Sequence, residues 1–258
     1  MRKANSPDTD AVDWRFYDLM TEINPAYQEL LDDFRCFILQ AGLQGGDLLL
    51  DLGAGTGNFS LLAADEWPQC RVLHVDANTE MNRHAARKRD ALGIRNLEIR
   101  DQDIDRFDLP AQSAALITAV HALYTFPDPS AVIRRMHAWL RPGGVVFACD
   151  PSGPLDMRDW TRYLFRCSRA ERGLWPSIRL FWRARAAVAQ NQRIGRQLRD
   201  GAYWRHDQTS FAAAFREAGF DVEHCRSAYR GASDLLVARK APAEAPLLQP
   251  WSLRRAPL

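Results

Sequence analysis

Residues 48–60 read Leu48-Leu49-Leu50-Asp51-Leu52-Gly53-Ala54-Gly55-Thr56-Gly57-Asn58-Phe59-Ser60. Leucines around one acid run into glycines at alternate positions, and then into an apolar segment. That order predicts a buried parallel strand, a turn in which side chains would be in the way, and a helix N-terminus. Backbone N–H groups in such a turn can approach a ligand closely, and the helix end favours negative charge. The spacing is G-x-G-x-G. A dinucleotide fingerprint, G-x-G-x-x-G, needs its last glycine where this chain has Asn58, and no Gly-Lys-Ser/Thr follows to make a P-loop.

The strand–turn–helix rhythm continues outward from this run. Further strands are expected at 71–75, 96–101, 115–120 and 145–149. Helices are expected at 58–66, 79–92 and 130–140, the last stopped by Arg141-Pro142-Gly143-Gly144. Residues 12–42 carry helical periodicity that Asn24-Pro25 breaks in two. Alternation with short turns means a doubly wound parallel sheet. After a helix at 209–218, two β runs follow at 220–225 and 233–238. Their link, 229–232, is too short for a crossover helix, so the pair is expected to be antiparallel.

A chain of 258 residues can bury a substantial core in one domain, or in one domain with an insertion. It holds no apolar run of the ~18 residues that a membrane span needs, and residues 1–10 lack the apolar core of a signal peptide. The five cysteines are scattered without a C-x-x-C pair or matching histidine spacing. That pattern indicates neither a metal site nor a disulfide framework and suits a reducing cytoplasm, the expected location. The net charge of +2 hides an asymmetry: residues 154–206 hold twelve arginines, no lysine and four acids, so that segment is +8 and the remainder −6.

Nineteen residues past Gly57 the second strand ends in Val75-Asp76-Ala77-Asn78-Thr79-Glu80-Met81. An acid here can accept hydrogen bonds from both hydroxyls of a ribose lying over the glycine turn. With the glycine run before it, this stretch resembles the class I S-adenosylmethionine-dependent methyltransferases of the small-molecule type. The resemblance implies an α/β, Rossmann-like, doubly wound seven-stranded sheet whose last two strands form an antiparallel pair. It also implies S-adenosylmethionine as cofactor, leaving as S-adenosylhomocysteine. Asp76 would then hold the ribose beside Ala77, Met81 would pack near the adenine, and Gly53, Ala54, Gly55 and Gly57 would line the cofactor with their backbone. Asp51 would attract the cationic sulfonium and amino groups. In Asp101-Gln102-Asp103-Ile104-Asp105, Asp103 and Ile104 fit the adenine-reading register, with Asp101 and Asp105 as competitors. Tyr17 would close over the methionine end, as an N-terminal tyrosine does in similar enzymes, or serve as a core aromatic. Asp76 would also suit NAD, but Asn58 and the Asp103-Ile104 pair favour the methyltransferase.

The fourth strand and its exit, Ala115-Leu116-Ile117-Thr118-Ala119-Val120-His121-Ala122-Leu123-Tyr124-Thr125-Phe126-Pro127-Asp128, resemble the family pattern at Leu123, Pro127 and Asp128. Ala115 and Val120 depart from it, Val120 standing at the strand tip beside the cofactor. No [DNS]-P-P-[YFW] motif is present here; Asp150-Pro151 follows the fifth strand instead. Methyl transfer is an in-line displacement, so alignment, water exclusion and proton removal are the protein's tasks. His121 is the first candidate base, because its ordinary pKa lies near neutrality. Tyr124 could orient an acceptor, and both residues could equally be packing groups.

Residues 154–206 are expected to form an arginine- and aromatic-rich helical lid over the acceptor pocket. Residues 1–42 are expected to cover the cofactor, 43–153 and 207–240 to form the core, and 241–258 to be a disordered tail. Arg158, Arg162, Arg166 and Arg169 form one stripe on a helix. The stripe is a solvated face, a docking surface for an anionic carrier protein, nucleic acid or membrane, or an anion grip inside the pocket. A small-molecule or lipid-like acceptor is expected. A tRNA methyltransferase or a non-catalytic scaffold subunit of the same fold are the alternatives.

Overall fold

The computed structural model describes residue 18 and residues 23–153, 156–183 and 203–242. Seven strands, β1 (Leu48–Leu52), β2 (Arg71–Asp76), β3 (Leu97–Asp101), β4 (Ala114–Val120), β5 (Leu140–Pro151), β6 (Phe220–Ala228) and β7 (Ser233–Lys240), form one sheet in the order β3-β2-β1-β4-β5-β7-β6. β1 to β5 run parallel, and β7 lies antiparallel between β5 and β6. The seven-stranded sheet and its antiparallel end agree with the sequence reading. The strand order reverses between β1 and β4, which opens a crevice beyond their C-terminal ends.

Among the described residues the α-helices are α1 (Pro25–Gln40), α2 (Asn58–Glu66), α3 (Thr79–Leu92), α4 (Pro129–Trp139), α5 (Met157–Arg172), α6 (Leu174–Arg183) and α7 (Gln208–Glu217). Polar caps set their starts. Asn24 accepts the Ala26 N–H ahead of α1, Asn78 those of Glu80 and Met81, and Asp128 that of Ala131. The central β strands are apolar on both faces because helices cover both. On one face Phe34 and Ile38 of α1 and Phe59 of α2 pack with Leu49, Leu116 and Phe147. On the other, Ile133, Met136 and Trp139 of α4 and Phe211 and Phe215 of α7 pack with Leu50, Ile117, Val146 and Leu236.

One boundary differs from expectation. Arg141-Pro142-Gly143-Gly144 does not simply stop a helix; α4 ends at Trp139, and the stretch is drawn into β5, which starts at Leu140. An irregularity in pairing between Ala114 and Leu116 absorbs the turn. At Gly144 a Cβ would lie 2.8 Å from the Arg141 carbonyl oxygen, so the chain can tighten there only without a side chain. Residues 184–202 and 243–258, within the expected insertion and tail, lie outside the described residues. Among the described residues no helix is long and apolar enough to cross a membrane.

Phe34 joins α1 to the rest of its face, with ring centroids 5.3 Å from Phe59 and 5.1 Å from Phe147. Phe34→Ala is expected to lower unfolding free energy by about 3–5 kcal/mol, read as a shift of the urea midpoint at unchanged slope.

Candidate active site

Gly53, Gly55 and Gly57 all have positive φ, at 62°, 57° and 81°. Space excludes side chains as firmly as backbone angle does. A Cβ on Gly53 would lie 2.6 Å from that of Ala122, and one on Gly57 would lie 3.1 Å from the Ala85 Cβ. A Cβ on Gly55 would be 3.6 Å from Met81 Sδ, so the buried Met81 borders the turn. The Ala54 N–H donates to the Val75 carbonyl.

Asp76 fastens this turn to α3. Its Oδ2 accepts the Gly55 N–H at 2.8 Å and its Oδ1 the Asn78 N–H at 2.7 Å. Ala77 beside it is exposed at the rim. Under the turn lies a network that the sequence reading missed. His74 Nδ1 meets Ser60 Oγ at 2.9 Å, and His74 Nε2 meets Asn82 Oδ1 at 2.9 Å. The Asn82 amide nitrogen donates to the Asp76 carbonyl. Asn82 therefore presents an oxygen to the ring, and His74 carries its proton on Nε2. Burial pushes His74 down to about 4, so it stays neutral.

Asp51 is buried at the end of β1. Thr118 Oγ1 donates to its Oδ1 at 2.7 Å, whereas Oδ2 has no hydrogen-bond partner among the described residues. Burial pushes its pKa up to about 6, opposed by the Thr118 hydroxyl and by the nearby hydroxyl and backbone N–H of Ser60, while the Asp76 charge adds to the rise. Thr56 Oγ1, inside the glycine turn, is likewise buried without a partner. Two buried polar atoms without a hydrogen-bond partner among the described residues thus lie beside one turn.

At the β3 end Asp103 is exposed and accepts the Asp105 N–H, while Ile104 is buried and its carbonyl accepts from Arg135. Tyr17 lies outside the described residues. Its neighbour Asp18 pairs with His84 and, at 3.0 Å, with Lys88 of α3. Lys88 also donates to Asn58 Oδ1 at 2.7 Å, and Asn58 Nδ2 donates to the Tyr27 hydroxyl. Asn58, the residue that breaks the dinucleotide fingerprint, thus ties α1 and α3 to the start of α2.

Across the crevice, Val120 ends β4 and is half-buried. His121 follows with φ 51°, a conformation that side chains other than glycine rarely adopt. Its Nε2 lies 3.1 Å from Ser233 Oγ, and its ring meets Tyr229 edge-on at 4.9 Å. Burial pushes its pKa down to about 4, well below the near-neutral value that the sequence alone suggested. Tyr124 is buried against Tyr203, with centroids at 5.1 Å, and its carbonyl accepts the Trp204 N–H. The return of the 154–206 segment therefore lies on the turn that follows β4.

Asp150 holds that turn in place. It is fully buried at the end of β5, and its two oxygens accept the N–H groups of Ala122 at 2.9 Å and Tyr124 at 2.8 Å. Burial pushes its pKa well up, opposed by these backbone donors. The sequence reading weighed Asp150-Pro151 only as a displaced catalytic motif. An acid ending the apolar run 145–149 was the available signal. Beside it in register stands Asp234, whose Oδ2 lies 3.4 Å from His206 Nδ1.

Comparison with known proteins shows the family of the chain. A family model described as methyltransferase domain matches residues 24–225, and the chain belongs to that family, in the class I S-adenosylmethionine-dependent group. A trans-aconitate 2-methyltransferase from Methylobacterium radiotolerans is 27% identical over 81% of this chain and 74% of its own length. One from Azoarcus sp. is 32% identical over 43% of this chain, and the chain spans only 42% of that relative's length. A S-adenosylmethionine-dependent methyltransferase structure from Aquifex aeolicus superposes with a TM-score of 0.56 at 16% identity, covering 87% of this chain and 97% of its own. At that identity the match speaks for the fold alone.

The raised pKa of Asp51 has a stability consequence in the ligand-free protein. The native state holds this proton to about pH 6, whereas the unfolded chain releases it near the ordinary aspartate value of 3.8. Asp51 therefore lowers stability progressively as pH rises from ~4 to ~6. Relative to Asp51→Asn, wild type is expected to lose about 3 kcal/mol across that window, measured by urea unfolding of both proteins at matched pH.

Proposed function

We propose that the protein transfers a methyl group from S-adenosylmethionine to a small, largely apolar acceptor bound between the post-β4 turn and the 154–206 segment. The observation that carries this reading is the pair of orphaned buried atoms, Asp51 Oδ2 and Thr56 Oγ1, beside a glycine turn that Asp76 holds. These residues fit the cofactor's chemistry. Asp51 would face its cationic amino acid end, Asp76 its ribose, and Met81, Asp103 and Ile104 its adenine, with Gly53, Ala54, Gly55, Gly57, Ala77 and Val120 along its length and Tyr17 over it. When bound, the cofactor supplies a methyl group already activated on a sulfonium.

The chain's share is then alignment, water exclusion and proton management. A cation beside Asp51 would favour its ionised form and relieve the cost of burying it. His121 is neutral at physiological pH and keeps a lone pair for an acceptor proton, while Ser233 and Tyr229 fix its ring. Asp150 acts as a positioning residue for Ala122 and Tyr124. The rings of Tyr124, Tyr203 and Trp204 favour an apolar or aromatic acceptor, and the trans-aconitate relatives support a small molecule.

Asp76→Ala is expected to weaken S-adenosylmethionine binding roughly ten- to a hundred-fold, the value of hydrogen bonds to a charged acceptor; unchanged affinity by calorimetry would remove the ribose assignment. A labelled-methyl screen of acids, phenols and amines tests turnover. With the acceptor so found, His121→Ala should lower kcat while leaving cofactor affinity intact. Full turnover at every pH would exclude His121 as the base, and tight binding without any transfer would favour a non-catalytic subunit.

A further inference from the structure

We propose that the outer face of the α5–α6 hairpin docks on an anionic lipid bilayer. The helices meet through Ser168 and Ser177, both buried with hydroxyls 2.9 Å apart, and through Phe165 and Phe181, with centroids at 5.3 Å. On the side of α6 away from Ser177, Trp175 is 75% exposed, Trp182 68% and Ile178 42%, with Leu174 at 43% one step round. At about 100° per residue the two tryptophans and Ile178 share one narrow arc. A folded chain ordinarily turns such a stripe inward.

Arginine surrounds it. Arg158, Arg162, Arg166 and Arg169 of α5 and Arg179 of α6 are all exposed. Going round α5 from its core-facing Trp160, the chain passes Ser168, then Phe165, and then reaches the arginines. Going round α6 from Ser177, it passes Phe181, then Leu174, Ile178 and Trp182. The Phe165–Phe181 contact thus has a basic row on one flank and an apolar row on the other, along one outer surface.

The occupant follows from both rows together. A second copy would have to bring another +8 segment against this one in a symmetric pairing, which repulsion opposes. A nucleic acid would satisfy the arginines but leave Ile178 and Leu174 without a counterpart. A bilayer surface meets both: tryptophan and leucine enter the acyl boundary while guanidinium groups meet anionic headgroups. Trp160 of α5 stacks on Tyr229, whose ring meets His121 after β4, so docking sets this side of the crevice near the lipid. The inference does not depend on the acceptor's identity.

The test uses the full-length chain with vesicles of phosphatidylcholine alone or mixed with phosphatidylglycerol, read by flotation and by tryptophan emission. Flotation with the anionic vesicles, weakened by salt and accompanied by a blue shift, is expected. Trp175→Ser with Trp182→Ser should abolish the blue shift while circular dichroism and S-adenosylmethionine affinity stay at wild-type values. Should that double variant fold poorly, the exposed set Arg162→Glu, Arg166→Glu and Arg169→Glu carries the test, with partition falling on the order of a hundred-fold. Absence of flotation, or equal flotation with both vesicle types, overturns the proposal. So does a dimer in sedimentation velocity that the tryptophan variant dissolves, or RNA binding that the tryptophan variant leaves intact. Retained cofactor affinity in any of these cases leaves the methyltransferase reading standing.

Discussion

A methyl group's width decides this molecule. The backbone at Gly53 passes so close to Ala122 that a Cβ there would lie 2.6 Å from its neighbour. Because the turn can run that close to the post-β4 segment, the ends of β1 and β4 bound one crevice. From the β2 side the Asp76 carboxylate accepts the Gly55 N–H of the same turn. His74 and Asn82 then support the turn from below through the Asp76 carbonyl. Each later feature of the site assumes this contact.

Burying carboxylates at strand ends is the second organising choice. Asp51, Asp76, Asp150 and Asp234 stand at or near the crevice end of β1, β2, β5 and β7, and burial raises the pKa of all four. They are nevertheless used differently. Asp76 and Asp150 spend both oxygens on backbone N–H groups and so shape the chain. Asp51 keeps one oxygen unpaired, an arrangement that is unfavourable for folding and useful only if something cationic arrives. Asp150 thus serves the post-β4 turn alone, whereas Asp76 shapes the glycine turn and keeps acceptor capacity for the ribose proposed to lie over it.

The fold was largely legible because its signals are local. Alternating apolar runs and caps placed β1 and α2 at their observed bounds, and the short 229–232 link implied the antiparallel β6–β7 pair. The glycine turn was legible for a related reason: Gly53, Gly55, Gly57 and Asp76 follow one another within a single strand–turn–helix–strand unit. The insertion of β7 between β5 and β6, and the extension of β5 back to Leu140, depend on pairing partners far off in the chain.

The reaction end resisted for the same physical reason. His121 meets Ser233 across 112 residues, and Asn24 donates to the Tyr229 hydroxyl across 205. No periodicity records such meetings. By itself the sequence determined the strand rhythm, the side-chain-free turn and the acids that follow it, since backbone geometry and spacing dictate these within a few residues. Only the tertiary structure decided that Asp150 props the post-β4 turn, that burial takes His121 far from neutrality, and that Tyr203 closes on Tyr124. Those outcomes come from desolvation and from long-range packing, which exist only once the sheet has assembled.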